Sequence, residues 1–151
     1  MKTLAKLLAL LLVIASAPLL ATAQESTKEM PQQMIEHISK TPNIGFAVKT
    51  EKALRGALGN YKRLKENKVP IEHFEVVIAG KILKDISRNQ KLYSLVEAQL
   101  QQKDFKITVC AVAMKNLRLH LEDLPNGVEM TPTYSLRILE LQALGYNMII
   151  P

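Results

Sequence analysis

A chain of 151 residues, 48% of them apolar, has material for one hydrophobic core of ordinary domain size. Its formal charge of +6 is a mild excess, and the densest basic run, residues 62–68, reads as the wet end of a helix. It lacks the clustered cations interleaved with stacking aromatics that nucleic-acid binding requires. The single cysteine, Cys110, excludes an internal disulfide, so the fold must rest on its core.

Lys2 and Lys6 precede the apolar run 7–15, small residues close on Ala21-Thr22-Ala23, and Gln24-Glu25-Ser26 opens a polar segment. That is the three-part pattern of a secretory signal, expected to be cleaved after residue 23. Ser16 and Pro18 interrupt the roughly 20 apolar residues that a membrane anchor would need. No cysteine stands at the cut, as a lipoprotein signal would demand. Cleavage would leave 128 residues, and losing Lys2 and Lys6 lowers the charge to +4. The expected product is secreted or periplasmic, with no membrane span.

Residues 24–42 are polar, with Pro31 among them, and read as a mobile leader or a short peripheral helix. Residues 43–49 have strand character, and 51–67 place Leu54, Leu58, Tyr61 and Leu64 at helical spacing. A second unit repeats the order: a strand over 74–80 and a helix over 91–103, carrying Leu92, Leu95, Val96 and Leu100. The third strand, 106–111, has a nearly continuous apolar interior, as expected of a parallel strand covered on both faces. A helix over 114–124, a turn at Asn126-Gly127 and a short strand over 128–131 follow.

Thr133 or Ser135 can cap a last helix that runs to Leu144 and stops at Gly145, before a closing strand over 147–150. Strands alternating with helices imply right-handed βαβ units. The expected fold is α/β: a small open three-layer sandwich, with a mostly parallel sheet of about five strands and helices on both faces. Leu136, Ile138, Leu139, Leu141, Ala143 and Leu144 cover more of the last helix than a single buried stripe needs. A subunit contact, or burial under the leader, would account for the surplus. Under the first reading, a charge at Leu139 or Leu141 would release monomers.

Reactive groups in an open parallel sheet gather at the carboxyl ends of the strands. Cys110 lies near that edge, ahead of the helix expected from Met114, whose N-terminus would favour a thiolate; Lys115 and Arg118 could add positive charge. Such a thiolate accepts a sulfur atom as a persulfide, attacks disulfides or oxidises. Ile107, Val109, Ala111 and Ala113 support the other reading, in which Cys110 is a small buried hydrophobe.

Other chemistry is thinly represented. His37, His73 and His120 share no ligand spacing, and Met30 and Met34 with His37 would need a fourth partner to hold Cu(I). Glu122 and Asp123 read as a solvated helix end. No phosphate loop, nucleophile elbow or catalytic carboxylate pair is present, and no cofactor or metal is expected.

Residues 109–115 (Val-Cys-Ala-Val-Ala-Met-Lys), 128–133, Leu139-Glu140-Leu141-Gln142 and Gly145-Tyr146 together resemble the DsrE/DsrF-like family. The likeness extends from about Asn43 to Pro151, through Leu58-Gly59-Asn60 and the strand end Val76 to Gly80. It implies a small α/β domain over 43–151 that assembles into dimers, trimers or hexamers. It also implies a sulfur-accepting cysteine at position 110, served by donor and acceptor proteins. Two departures stand out. Tyr134 occupies a position where exported relatives resemble Val-Pro-Ser-Gly-Val and carry glycine, and Ala79 stands where many look to have histidine.

Two functions are therefore expected. In the first, the exported protein is a sulfur carrier or thiol-redox protein. Cys110 is then the acceptor, Lys115 assists electrostatically, and Asn116 caps the helix or orients the site. In the second it is a non-catalytic oligomeric binding or assembly module with Cys110 buried and inert.

Overall fold

The computed structural model describes residues 29–151; the expected signal sequence and residues 24–28 lie outside the described residues. A short helix, α1 (Gln32–Ile38), precedes the first apolar run, which forms β1 (Asn43–Val48). The Thr50 hydroxyl accepts from the Ala53 N–H and starts α2 (Glu51–Glu66), after which β2 spans His73–Ile78. Two helices follow where one was expected, α3 (Ile82–Arg88) and α4 (Gln90–Gln99), the second capped by the Asn89 side chain. Then come β3 (Phe105–Cys110), α5 (Ala111–Leu117), a 3₁₀ turn (Leu121–Asp123), β4 (Glu129–Thr131), α6 (Tyr134–Ala143) and β5 (Asn147–Ile149).

All five strands are parallel, in the order β4-β3-β2-β1-β5. The expected open α/β sandwich is present, with every strand pair parallel rather than most of them. The first three crossovers step the same way, so right-handedness puts their helices on one face; the return from β4 to β5 puts α6 on the other. Contacts agree, with α2 against β1 and β2 and α6 against β1, β2 and β5.

The faces are unequal. Strand alternation turns Ile44, Phe46, Phe74, Val76, Phe105 and Ile107 toward α2, where they form the main core with Leu54, Leu58 and Leu92. Phe74 lies between Phe46 and Phe105, with ring centroids 5.4 and 5.5 Å away. The opposite face carries small and polar residues: Gly45, Ala47, Glu75, Val77 and Thr108. Met148 of β5 folds over Gly45 in space that a β-carbon would fill. Among the described residues, α6 alone covers this side.

At the edge of the main core, the Tyr61 hydroxyl donates to Asp104 Oδ1 at 2.7 Å, and Lys65 Nζ lies 2.8 Å from Oδ2. Burial raises the pKa of Tyr61, and its bond to Asp104 raises it further. Burial also works to raise that of Asp104, but the bonds from Lys65 and Tyr61 outweigh it and hold the carboxyl below its usual range. A carboxyl depressed on folding adds stability above its unfolded pKa of about 3.9 and loses it as pH falls through the folded value. Asp104→Asn is therefore expected to lower stability at pH 7 and to shrink the further loss on acidification. Denaturant titrations at pH 7 and pH 3 would measure both.

The segment before β1 is partly placed by these contacts. Met30, Ile35 and Ile38 pack on the main core, and the Met30 N–H donates to Asn67 Oδ1 at 2.7 Å. Residues 29–42 therefore lie on the α2 side and do not cover α6, so burial of that helix under the described leader is ruled out.

Candidate functional site

Cys110 is the last residue of β3 and the N-cap of α5, its Cα in register with Thr131 of β4. Helix α5 begins at Ala111 rather than at the expected Met114, and it ends at Leu117. The reason is local. Arg118 adopts a left-handed conformation (φ 56°) and closes the helix, and the chain then enters the separate 3₁₀ turn. There the His120 N–H donates to Asp123 Oδ2 at 2.7 Å, so Asp123 is a capping residue.

This shift relocates the two supporting residues. Lys115 lies in the last turn of α5, some 7–8 Å along the axis from Cys110, with Asn116 beyond it; both side chains are exposed. Asn116 therefore does not cap the helix, and Lys115 and Arg118 stand at its far end from the thiol. At seven residues, α5 is also shorter than the helix expected over 114–124.

Cys110 itself is 5% exposed. Its place in the alternation decides what surrounds it: Phe105, Ile107 and Val109 belong to the main core cluster, whereas Thr108 and Cys110 share the opposite face. Cys110 is thus shielded without belonging to the large apolar core. Beside it, β2 ends in register at Ile78 opposite Val109, and the chain continues through Ala79 into Gly80. Gly80 takes a positive φ of 81°, which glycine adopts without strain.

Tyr134 opens α6 at this same carboxyl edge, and Lys49 Nζ lies 4.7 Å from its ring centre. The Thr133 hydroxyl accepts from the Leu136 N–H at 3.3 Å, so Thr133 rather than Ser135 is the cap. The bulky residue at the glycine-like position is therefore a cation-holding one, and burial raises its phenol pKa.

A second group on the Cys110 face had no counterpart among the expected site residues. Glu75, 1% exposed, receives Arg137 Nε on Oε1 at 2.7 Å and Nη2 on Oε2 at 2.6 Å. The Thr108 hydroxyl donates to Oε1 at 2.6 Å, and Arg137 Nη1 reaches Glu140 at 2.7 Å. Hydrogen bonding to Glu75 raises the pKa of Arg137 and keeps the guanidinium charged. Burial, then the charge of Glu75, raises that of Tyr146. The visible signal was a carboxylate inside the apolar strand Phe74-Glu75-Val76-Val77. Thr108 precedes Cys110 by two residues, about 6–7 Å along the strand.

The outer side of α6 exposes Leu136, Leu139 and Leu144 at about 60% each, while Ile138 and Leu141 are buried against the sheet. Leu141, wholly buried, therefore belongs to the fold and not to a subunit contact.

The histidines are apart: His37 on α1, His73 stacked 6.4 Å from Tyr146, and His120 at the 3₁₀ turn. Among the described residues, no three His, Cys, Asp or Glu gather as a metal site would require, and no helix is long and apolar enough to cross a membrane.

No described protein family matches the sequence, and no curated protein matches it significantly. Among solved structures, it resembles a protein of unknown function from Methanobacterium thermoautotrophicum at 17% identity, covering 72% of this chain and 96% of that one with a TM-score of 0.60. A conserved protein of unknown function from Bacteroides thetaiotaomicron is similar at 14% identity, with 76% and 98% covered and a TM-score of 0.60. What the chain shares with both is the open parallel α/β fold.

Proposed function

We propose that this protein is an exported, homo-oligomeric sulfur carrier that holds sulfane sulfur on Cys110. The observation that carries the reading is the setting of the thiol. It ends a sheet strand at the carboxyl edge, outside the main core cluster and on the side that, among the described residues, α6 alone covers. The likeness to the DsrE/DsrF-like family supports the same residue. Low exposure suits a carrier in an oxidising compartment, because a shielded thiol resists sulfenic acid formation and mixed disulfides.

The step is an exchange without net oxidation. The Cys110 thiolate attacks the terminal sulfur of a persulfide donor, R–S–SH, whose inner S–S bond breaks as the new one forms. The donor leaves as a thiol, having taken up the proton, and Cys110 carries the persulfide. Lys49, in the loop after β1, and Tyr134, the first residue of α6, lie at the same edge and form the proposed mouth of the site.

Treatment of the purified protein with a low-molecular-weight persulfide should give one added sulfur atom per chain by intact mass. Cys110→Ser should give none. Absence of the adduct in the native protein, with full alkylation of Cys110 only in denaturant, would overturn the proposal.

One observation supports a second reading, an assembly or binding module with an inert cysteine: α6 and its C-cap expose Leu136, Leu139 and Leu144, whatever Cys110 does. Under it, Cys110→Ala keeps both the native oligomer and its function.

A further inference from the structure

We infer that the cavity between α1 and the β1–β5 edge of the sheet is a binding site for a single-chain amphiphile with an anionic head. It encloses about 390 Å³, within the range of small-molecule sites. Its floor is apolar, made by Ile44, Phe46, Leu64 and Ile149, and its roof is Met34 and Ile38. The polar groups collect separately: Asn60 and Arg63 on successive turns of α2, and Asn147 at the start of β5.

This division fits one chemistry. An alkyl chain meets the floor, and a carboxylate meets a guanidinium and amide donors. The guanidinium of Arg63 makes no hydrogen bond or ion pair among the described residues, so its charge is free to be matched. Glu29, also at the cavity, opposes an anion and limits the affinity.

The roof is lightly seated. No residue of α1 is buried, and the Met30 to Asn67 hydrogen bond anchors its start, so the cover can lift to admit a chain. Residues 24–28, Gln-Glu-Ser-Thr-Lys, carry no apolar side chain with which to fill the cavity themselves. The exposed leucines of α6 lie across the sheet and do not line it.

The site is independent of the proposed thiol chemistry, and its test does not read Cys110. Titration calorimetry on the purified protein would compare decanoate with decyltrimethylammonium below their micellar ranges. Decanoate is expected to bind once per chain and the cation at least tenfold more weakly. Arg63→Gln should weaken decanoate about tenfold, the scale of one charge-assisted contact, and Glu29→Gln should tighten it. Met34→Glu, an exposed change in the roof, should abolish binding, and Leu139→Glu should leave it unchanged. No binding, equal binding of the cation, insensitivity to Arg63→Gln, or loss with Leu139→Glu would each overturn the inference.

Discussion

Arg137→Ala is expected to destabilise the protein by about 3–5 kcal/mol. Glu75, 1% exposed, lies on the sheet face that, among the described residues, α6 alone covers. Both its oxygens are taken by Arg137, and Thr108 adds a third bond. Removing the guanidinium leaves a buried carboxylate with one hydroxyl for company. Truncating one partner of a buried pair costs far more than the intact pair contributes, because the survivor keeps its desolvation penalty. The double variant Glu75→Gln/Arg137→Met should therefore be more stable than Arg137→Ala. Denaturant midpoints of the three proteins would check this. A loss below about 1 kcal/mol in the single variant would show that the pair does not hold α6.

Leu139→Glu is expected to convert the proposed oligomer to monomers while leaving the fold intact. Leu136, Leu139 and Leu144 lie on the outer side of α6, and each keeps about 60% of its surface in water. Leu136 and Leu139, three residues apart on the exposed side of α6, and Leu144 at its C-cap leave apolar surface of the kind that a contact would cover. A carboxylate at its centre would be desolvated without a partner on association. The choice of residue matters, since Leu141, equally apolar in the sequence, is wholly buried under the same helix. A charge there would unfold α6 from the sheet. Light scattering beside far-ultraviolet circular dichroism separates the outcomes: Leu139→Glu should lose mass and keep helicity. An unchanged mass would place the contact elsewhere.

Much of the fold could be read from the residues because the three central strands are apolar runs bounded by Pro42, Pro70 and Asp104. The interior of each carries its own signal. Helix α3 went unread because Ile82, Leu83 and Ile86 sit among Lys81, Lys84, Asp85 and Arg88 over barely two turns, too short for a period to emerge. The start of α5 was misplaced for the opposite reason. Ala111, Val112 and Ala113 continue the apolar run of β3, and apolar residues alone do not distinguish a buried strand from the first turn of a helix. That error of three residues moved Lys115 and Asn116 away from the thiol.

Cys110 itself was legible as the residue at the strand end, but its face was not. Only the register, with Val109 in the core and Thr108 on Glu75, shows which way it turns. The Glu75–Arg137 pair joins residues 62 apart in sequence through two crossovers, and no local pattern links them. The one available hint was that a lone carboxylate within an apolar strand must find a cation somewhere.

The strand order also bears on how the chain reaches this structure. β1 finds β2 about thirty residues away, but its other neighbour, β5, pairs Ile44 with Asn147 only after three further strands and their crossovers. Closing so long a loop is slow, and little rewards it until α6 has docked. Until α6 docks, the Glu75 carboxyl stands on a sheet face that lacks its helix and its guanidinium partner. Arg137 reaches that carboxylate from the same helix that carries the exposed leucines, so the proposed contact surface exists only once the Glu75 pair has formed.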